Sequence, residues 1–160
     1  MICRECHKGK YENKLQTEEF TLDGGPTILL KNQKVSVCPV CGDEIVTLND
    51  TRERNKEILA FLVDYYAHRN YEISGKAAKW IRKTIGLSAV ELAESVGVSP
   101  TNYSQAIARE SNIDQLSALT LCWKVIDFIT ENNIGSKLLQ EMRAPEKKID
   151  KNLYKNVEVA

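Results

Sequence analysis

The sequence lacks net charge, long apolar segments and more than two histidines. Lysine plus arginine and aspartate plus glutamate each number 22 in the 160 residues, a balance that excludes a histone-like polycation and an acidic tail protein. No segment approaches the ~18 consecutive apolar residues of a membrane-spanning helix, and the first residues lack the apolar run of a secretory signal. We therefore expect no membrane partner and a cytoplasmic location.

Four of the five cysteines form two Cys-x-x-Cys pairs, Cys3 with Cys6 and Cys38 with Cys41. An odd number of cysteines without an export signal argues against a disulfide framework. Two residues between thiolates let a tight turn direct both sulfur atoms at one ion, and a second pair completes a tetrahedral four-sulfur site. The spacing therefore predicts one structural Zn²⁺ per chain.

Glycines follow both pairs, and other interpretations of the cysteines stay open. Gly9 and Gly42 are expected to take the positive φ that turns N–H groups toward sulfur. A redox pair normally opens a helix in an α/β fold, an iron–sulfur cluster also takes four thiolates, and His7 is placed to act as a ligand. Four thiolates would leave no position for water, so catalytic zinc is not expected. Cys122 lies in an apolar helical stripe and is expected to be an inert core thiol.

The predicted fold class is mainly α with a small β zinc ribbon. Between the cysteine pairs, three short apolar segments separated by turns at 23–26 and 32–33 predict a β meander: Phe20–Leu22, Thr27–Leu30 and Val35–Val37. Apolar residues then recur with a helical period from Glu53 to His68, which predicts a connecting helix capped by Asn49 or Asp50.

A bundle of about five helices is predicted to follow, with caps at regular intervals. Ser74 and Ser88 begin the first two, Ser88 with Glu91 as a capping box, and Pro100 occupies the first turn of the third. The predicted helices are 75–85, 89–96, 100 to 107 or 109, 114–131 and 136–142. The predicted units are a zinc ribbon at 1–48, a connecting helix and linker at 49–73, a helical domain at 74–144 and a flexible tail at 145–160.

The segment from Leu87 to Ser99, LSAVELAESVGVS, resembles the core of the phage-repressor (XRE) helix-turn-helix family. The resemblance covers residues 74–130 and implies a domain whose third helix enters the DNA major groove. The outward residues at the base-reading positions are Thr101, Asn102 and Gln105. Asparagine and glutamine can pair bidentately with adenine. The alternative is a polar, solvent-facing surface on a helical protein-interaction module.

A local excess of basic residues between Ser74 and Arg109, with Lys76, Lys79 and Lys83 on one helical stripe, suggests which groups contact DNA phosphates. The candidates are Lys76, Lys79, Lys83, Ser99 and Arg109. Two residues depart from the family pattern. Ala89 stands where a glutamine often contacts the DNA backbone, and Ile107 replaces the usual charged residue after the third helix, which suggests unusual packing there.

The order of the modules is also similar to the MqsA-type (YgiT-type zinc finger) antitoxins. Their four ligands match Cys3, Cys6, Cys38 and Cys41 in position along the chain, whereas Gln105 stands where that family has an arginine. The similarity implies that the ribbon contacts a toxin and that the C-terminal domain dimerises and represses transcription.

Together these features predict a sequence-specific transcriptional regulator, a repressor or autoregulator that binds an inverted-repeat operator in double-stranded DNA as a homodimer. The dimer interface is expected on the 114–131 helix, at Leu121, Trp123 and Phe128, where apolar side chains lie outside its main stripe. The alternative is an antitoxin-like module whose ribbon neutralises a toxin protein. No Ser/His/Asp set, phosphate loop or pair of catalytic carboxylates is recognisable, so an enzyme is not expected.

Overall fold

The computed structural model describes residues 1–108, 111–130 and 151–160. The predicted fold class is confirmed: an N-terminal antiparallel sheet carries the cysteine pairs, and five α-helices follow in the described residues. The elements in chain order are β1 (Glu12–Thr21), β2 (Thr27–Val37), β3 (Glu44–Ile45), α1 (Leu48–Ala67), α2 (Gly75–Thr84), α3 (Ala89–Ser95), α4 (Pro100–Ala108), α5 (Gln115–Thr130), a 3₁₀ turn (Lys151–Tyr154) and β4 (Val157–Val159).

The sheet is built around β2, which has a different partner along each part of its two edges. All of one edge pairs with β1, from Thr21 opposite Thr27 to Glu12 opposite Val37. On the other edge, β3 pairs at the C-terminal end of β2 and β4 pairs at its N-terminal end. The sheet therefore has two ends: one carries the cysteines, and the other packs on the helices.

The two long strands differ from the predicted meander for a physical reason. Most of β1 is exposed on both faces, so its sequence lacks the apolar alternation that marks a half-buried strand. The turn predicted at 32–33 is instead a bulge inside β2, where Asn32 takes a φ of 56° and the register shifts opposite Gln16 and Glu18.

Helix α1 lies in the middle of the molecule. Its six central residues from Ile58 to Val63 are all buried, and they join Leu22, Ile28 and Leu30 of the sheet region in one hydrophobic core with the later helices. The N-cap is Thr47, whose hydroxyl oxygen accepts from the Asp50 N–H at 3.1 Å, so the helix begins earlier than predicted. The ribbon, the connecting helix and the helical domain, which were predicted as separate units, therefore share one hydrophobic core.

The predicted caps of the helical region are largely confirmed. Ser74 caps α2, and Ser88 with Glu91 forms the capping box of α3. Val98, in the turn before α4, is 38% exposed. The helix predicted at 136–142 lies outside the described residues.

The prediction of a flexible tail is wrong for residues 151–160. β4 pairs with Ile28–Leu30, and the ring of Tyr154 meets that of Phe61 edge-on at 5.8 Å. Tyr154 and Val157 are both buried. The apolar side chains of this segment therefore complete the sheet and cover α1, which is more favourable than leaving them in water.

The predicted dimer interface also needs correction. Leu121 is fully buried and Trp123 is only 7% exposed, so neither side chain lies on the exposed surface of α5 where a second chain would bind. Phe128 is half-buried against the core. Burial extends around α5 because this helix packs against α1, α2 and α3 rather than along one stripe.

Among the described residues, no helix combines the length and the low polarity that crossing a bilayer requires.

Replacing Tyr154 by alanine should lower the free energy of unfolding by about 3 kcal/mol, because a buried aromatic ring is lost from the surface of α1. Leu153→Ala is the matched control, since the neighbouring Leu153 is 42% exposed. Urea denaturation followed by circular dichroism measures both changes. Equal effects of the two substitutions would contradict the packing of this segment.

Candidate metal centre and helix-turn-helix surface

The four paired cysteines come together at one end of the sheet. Their sulfur atoms all lie within 4.8 Å of one another, with Cys3 and Cys41 3.5 Å apart and Cys6 and Cys38 3.7 Å apart. A tetrahedral Zn²⁺ with Zn–S bonds of about 2.3 Å separates its ligands by about 3.8 Å. The four thiols therefore match the size and the donor chemistry of one metal ion, and zinc is the metal that such a set favours.

The two Cys-x-x-Cys turns have the same backbone geometry. The His7 N–H donates to the Cys3 carbonyl at 3.2 Å, and the Gly42 N–H donates to the Cys38 carbonyl at 2.9 Å. Both donors take a positive φ, 55° at His7 and 78° at Gly42. The glycine positions predicted left-handed residues at Gly9 and Gly42; the structure confirms Gly42, but in the first turn the left-handed residue is His7.

Gly9 has a different role: because it has no side chain, it leaves room for the sulfur atom of Cys38. A Cβ atom at this position would lie 2.5 Å from the Cys38 Sγ, closer than any real contact of that kind. Its carbonyl accepts from the Cys3 N–H at 2.8 Å. Gly9 therefore holds the first turn against the second at a distance that no other residue allows.

A polar pair links the two turns beside the sulfur atoms. The Tyr11 hydroxyl donates to the Asp43 carboxylate, and the same carboxylate lies 3.7 Å from the Cys3 Sγ. This hydrogen bond raises the pKa of Tyr11, so the phenol stays protonated. Neither residue carries a recognisable sequence signal, because each acts through a contact that only the folded sheet creates.

The thiols of the cluster differ in how easily they ionise. Backbone N–H groups of Gly9 and Lys8 lower the pKa of Cys6 to about 6. Although the Asp43 N–H favours the Cys41 thiolate, burial and the neighbouring sulfur atoms raise the pKa of Cys41 to about 12. Four thiolates at this spacing repel one another, so full ionisation requires a cation among them.

His7, considered as a ligand, and the fifth cysteine, Cys122, both lie apart from the cluster. His7 is exposed and is not among the grouped side chains found in the described residues. Cys122 is buried in α5, and burial raises the pKa of its thiol to about 12. Such a thiol is a poor nucleophile and a poor ligand, in agreement with the predicted core role.

Helices α3 and α4 form the predicted helix-turn-helix arrangement. The turn between them contains Gly97 at a φ of 70°, and Ser99 accepts from the Asn102 N–H at 3.2 Å at the start of α4. Tyr103 points inward and is buried. The three residues predicted to read bases are all exposed on α4: Thr101, Asn102 and Gln105.

The predicted phosphate contacts are partly placed by the structure. Lys76, Lys79 and Lys83 are exposed on α2, and the Lys76 Nζ lies 3.6 Å from a carboxylate oxygen of Asp23 in the β1–β2 turn. Ser99 is exposed at the start of α4. Arg109 lies outside the described residues.

A scan against models of known protein families finds no match to this chain, and a search of curated proteins finds no relative.

Cys38→Ser should abolish stoichiometric zinc binding, because three thiolates and a hydroxyl bind Zn²⁺ far more weakly than four thiolates. Cys122→Ser and His7→Gly are the controls: the first removes a thiol outside the cluster, and the second removes an imidazole while keeping the positive φ favourable. Elemental analysis of the purified chains should give about one zinc for both controls. Loss of zinc in His7→Gly would instead make His7 a ligand.

Proposed function

We propose that this protein is a sequence-specific DNA-binding transcriptional regulator with a structural zinc site. The observation that carries the proposal is the exposed polar face of α4 in a helix-turn-helix arrangement. Tyr103 anchors that helix to the core while Asn102 and Gln105 remain in solvent. A short helix that is held firmly and presents amide side chains suits entry into the major groove.

In this proposal, base contacts and phosphate contacts have separate roles. Asn102 and Gln105 hydrogen-bond to base edges, and Thr101 packs against them, whereas Lys79 and Lys83 position the domain on the backbone. The architecture agrees with the resemblance to phage-repressor domains, with two described departures at Ala89 and Ile107. The zinc site holds the shape of the sheet and performs no catalysis, since four thiolates fill its coordination shell.

The regulator acts as a homodimer on an inverted repeat. One recognition helix contacts too few base pairs to select a single site in a genome. Two-fold symmetry doubles the number of base pairs that are read. Because Leu121 and Trp123 are buried within the chain, we assign no surface to this dimer.

A second candidate function, antitoxin-like binding of a protein partner, is favoured by the surface of the metal-bearing region. Several large apolar side chains there are strongly exposed, including Ile2 at 58% and Val40 at 59%. Both flank cysteine ligands, so a metal ion would fix their positions. Exposed apolar groups on a rigid small module suit a protein interface.

Gln105→Ala and Asn102→Ala should each cost about 1–3 kcal/mol of specific DNA binding and relax the preference at one base pair. Lys83→Ala should weaken binding to all sequences alike and reduce the salt slope by about one unit. Selection from random duplexes followed by fluorescence anisotropy measures both effects.

The selected complex should also contain two chains per duplex in sedimentation equilibrium. A single chain per duplex would contradict the dimer. If the glutamine and lysine variants lose the same affinity for selected and scrambled DNA, α4 does not read bases.

Val40→Asp should break a complex with the product of the adjacent gene while leaving zinc content and DNA binding unchanged. Val90→Asp is the control, because Val90 is similarly exposed at 48% but lies on α3. Co-expression and co-purification measure the complex. A complex that survives Val40→Asp, or no complex with the unaltered chain, would contradict the second candidate.

A further inference from the structure

A half-open cavity of about 380 Å³ lies between α2 and α4. Its walls carry three cationic side chains of α2 on one side and the C-terminal half of α4 on the other. The lining residues are Lys76, Lys79, Arg82, Ala89, Ser104, Ile107 and Ala108. The cavity is separate from the metal centre and from the exposed amide side chains of α4.

The cations of α2 converge because of their spacing along the helix. Lys76, Lys79 and Arg82 follow one another at intervals of three residues, which places them on one face. Lys76 also lies 3.6 Å from the exposed Asp23 carboxylate, so Lys79 and Arg82 are the principal charges of the site. None of the described residues that line the cavity is acidic.

Arg82 is held in place by a hydrogen bond that uses only part of its guanidinium group. Its Nη1 donates to the Leu87 carbonyl at 2.6 Å, which fixes the planar group beside the cavity. Its Nε is buried and has no acceptor among the described residues. A buried donor without an acceptor is costly, and a rotation of the guanidinium group toward an anion in the cavity would give it one.

The wall opposite the cationic side chains is formed by the C-terminal half of α4 and is mostly apolar. Ile107 is half-buried beside Ala108, at the position where the resemblance led us to expect a charged residue. An apolar side chain there places no carboxylate opposite Arg82 among the described residues, and it adds an apolar surface. The Ser104 hydroxyl, also in the lining, offers a neutral hydrogen-bonding group.

From this geometry we infer that the cavity is a binding site for a small phosphate-bearing molecule. Arginine and lysine together provide the forked donors and the point charge that recognise phosphate oxygens. The volume falls within the range of small-molecule sites and exceeds what a single phosphate group fills. The apolar wall formed by Ile107 and Ala108 suits the remainder of such a molecule. DNA backbone phosphate shares this chemistry, and the experiment separates the two sources.

Binding of inorganic pyrophosphate and of ADP to the full chain can be measured by isothermal titration calorimetry at constant ionic strength, without DNA. Lys79→Gln should weaken binding about tenfold, as the loss of one charge-assisted hydrogen bond implies. Lys83→Gln is the matched control and should bind normally, because Lys83 is exposed on the same helix but does not line the cavity.

A second pair of variants tests the cavity from its other wall. Ile107→Glu places a carboxylate opposite Arg82 and should abolish pyrophosphate and ADP binding, whereas Ile107→Gln, of the same size without the charge, should retain it. Circular dichroism confirms that both variants keep their helical content. No binding by the unaltered chain, or equal binding by the Glu and Gln variants, would overturn the inference. If only DNA affinity responds to Lys79→Gln and Ile107→Glu, the cavity takes a backbone phosphate instead.

Discussion

The enclosure of α1 on several sides is the constraint on which the rest of the structure depends. A helix with six consecutive buried residues cannot stand as a linker, because apolar groups around its whole circumference must be covered. Leu22, Ile28 and Leu30 of the sheet region share its hydrophobic core, α5 packs against it, and the segment from Lys151 to Val159 covers a further part. The metal-bearing sheet and the helix-turn-helix region are therefore held together by the same buried surface.

The sheet connects two regions that are stabilised in different ways. Near Leu30 the hydrophobic core stabilises the sheet. About 20–24 Å further along β2, near Val37, the metal ion that the thiol cluster would bind stabilises it instead. Between these points β1 is mostly exposed, whereas β2 buries the side chain of Val35. Metal loss should consequently disorder the cysteine turns while the core end of the sheet keeps its packing on α1.

The features predicted correctly from the sequence are those encoded by neighbouring residues. The spacing of Cys38 and Cys41 anticipates a shared site, and Ser88 with Glu91 anticipates a helix start, because each pattern is satisfied within a few residues. The part of β1 before Phe20 escaped prediction because a strand with no buried face carries no apolar alternation. Tyr154 escaped it because its partner Phe61 is distant along the chain. Trp123 was wrongly predicted to lie on the surface, because a helix that packs on more than one side has no single apolar stripe.

The pairing of β4 with β2 has a consequence for how the chain is synthesised. The ribosome releases Ile28 more than a hundred residues before Val159, the residue that lies opposite it in the sheet. During that interval the N-terminal part of one edge of β2 has unpaired N–H and C=O groups, and Phe61, once synthesised, lacks the ring of Tyr154 against it. Nascent chains of this protein should therefore be most prone to aggregation, and most in need of a chaperone, until Val157–Val159 has left the ribosome and paired with Ile28–Leu30.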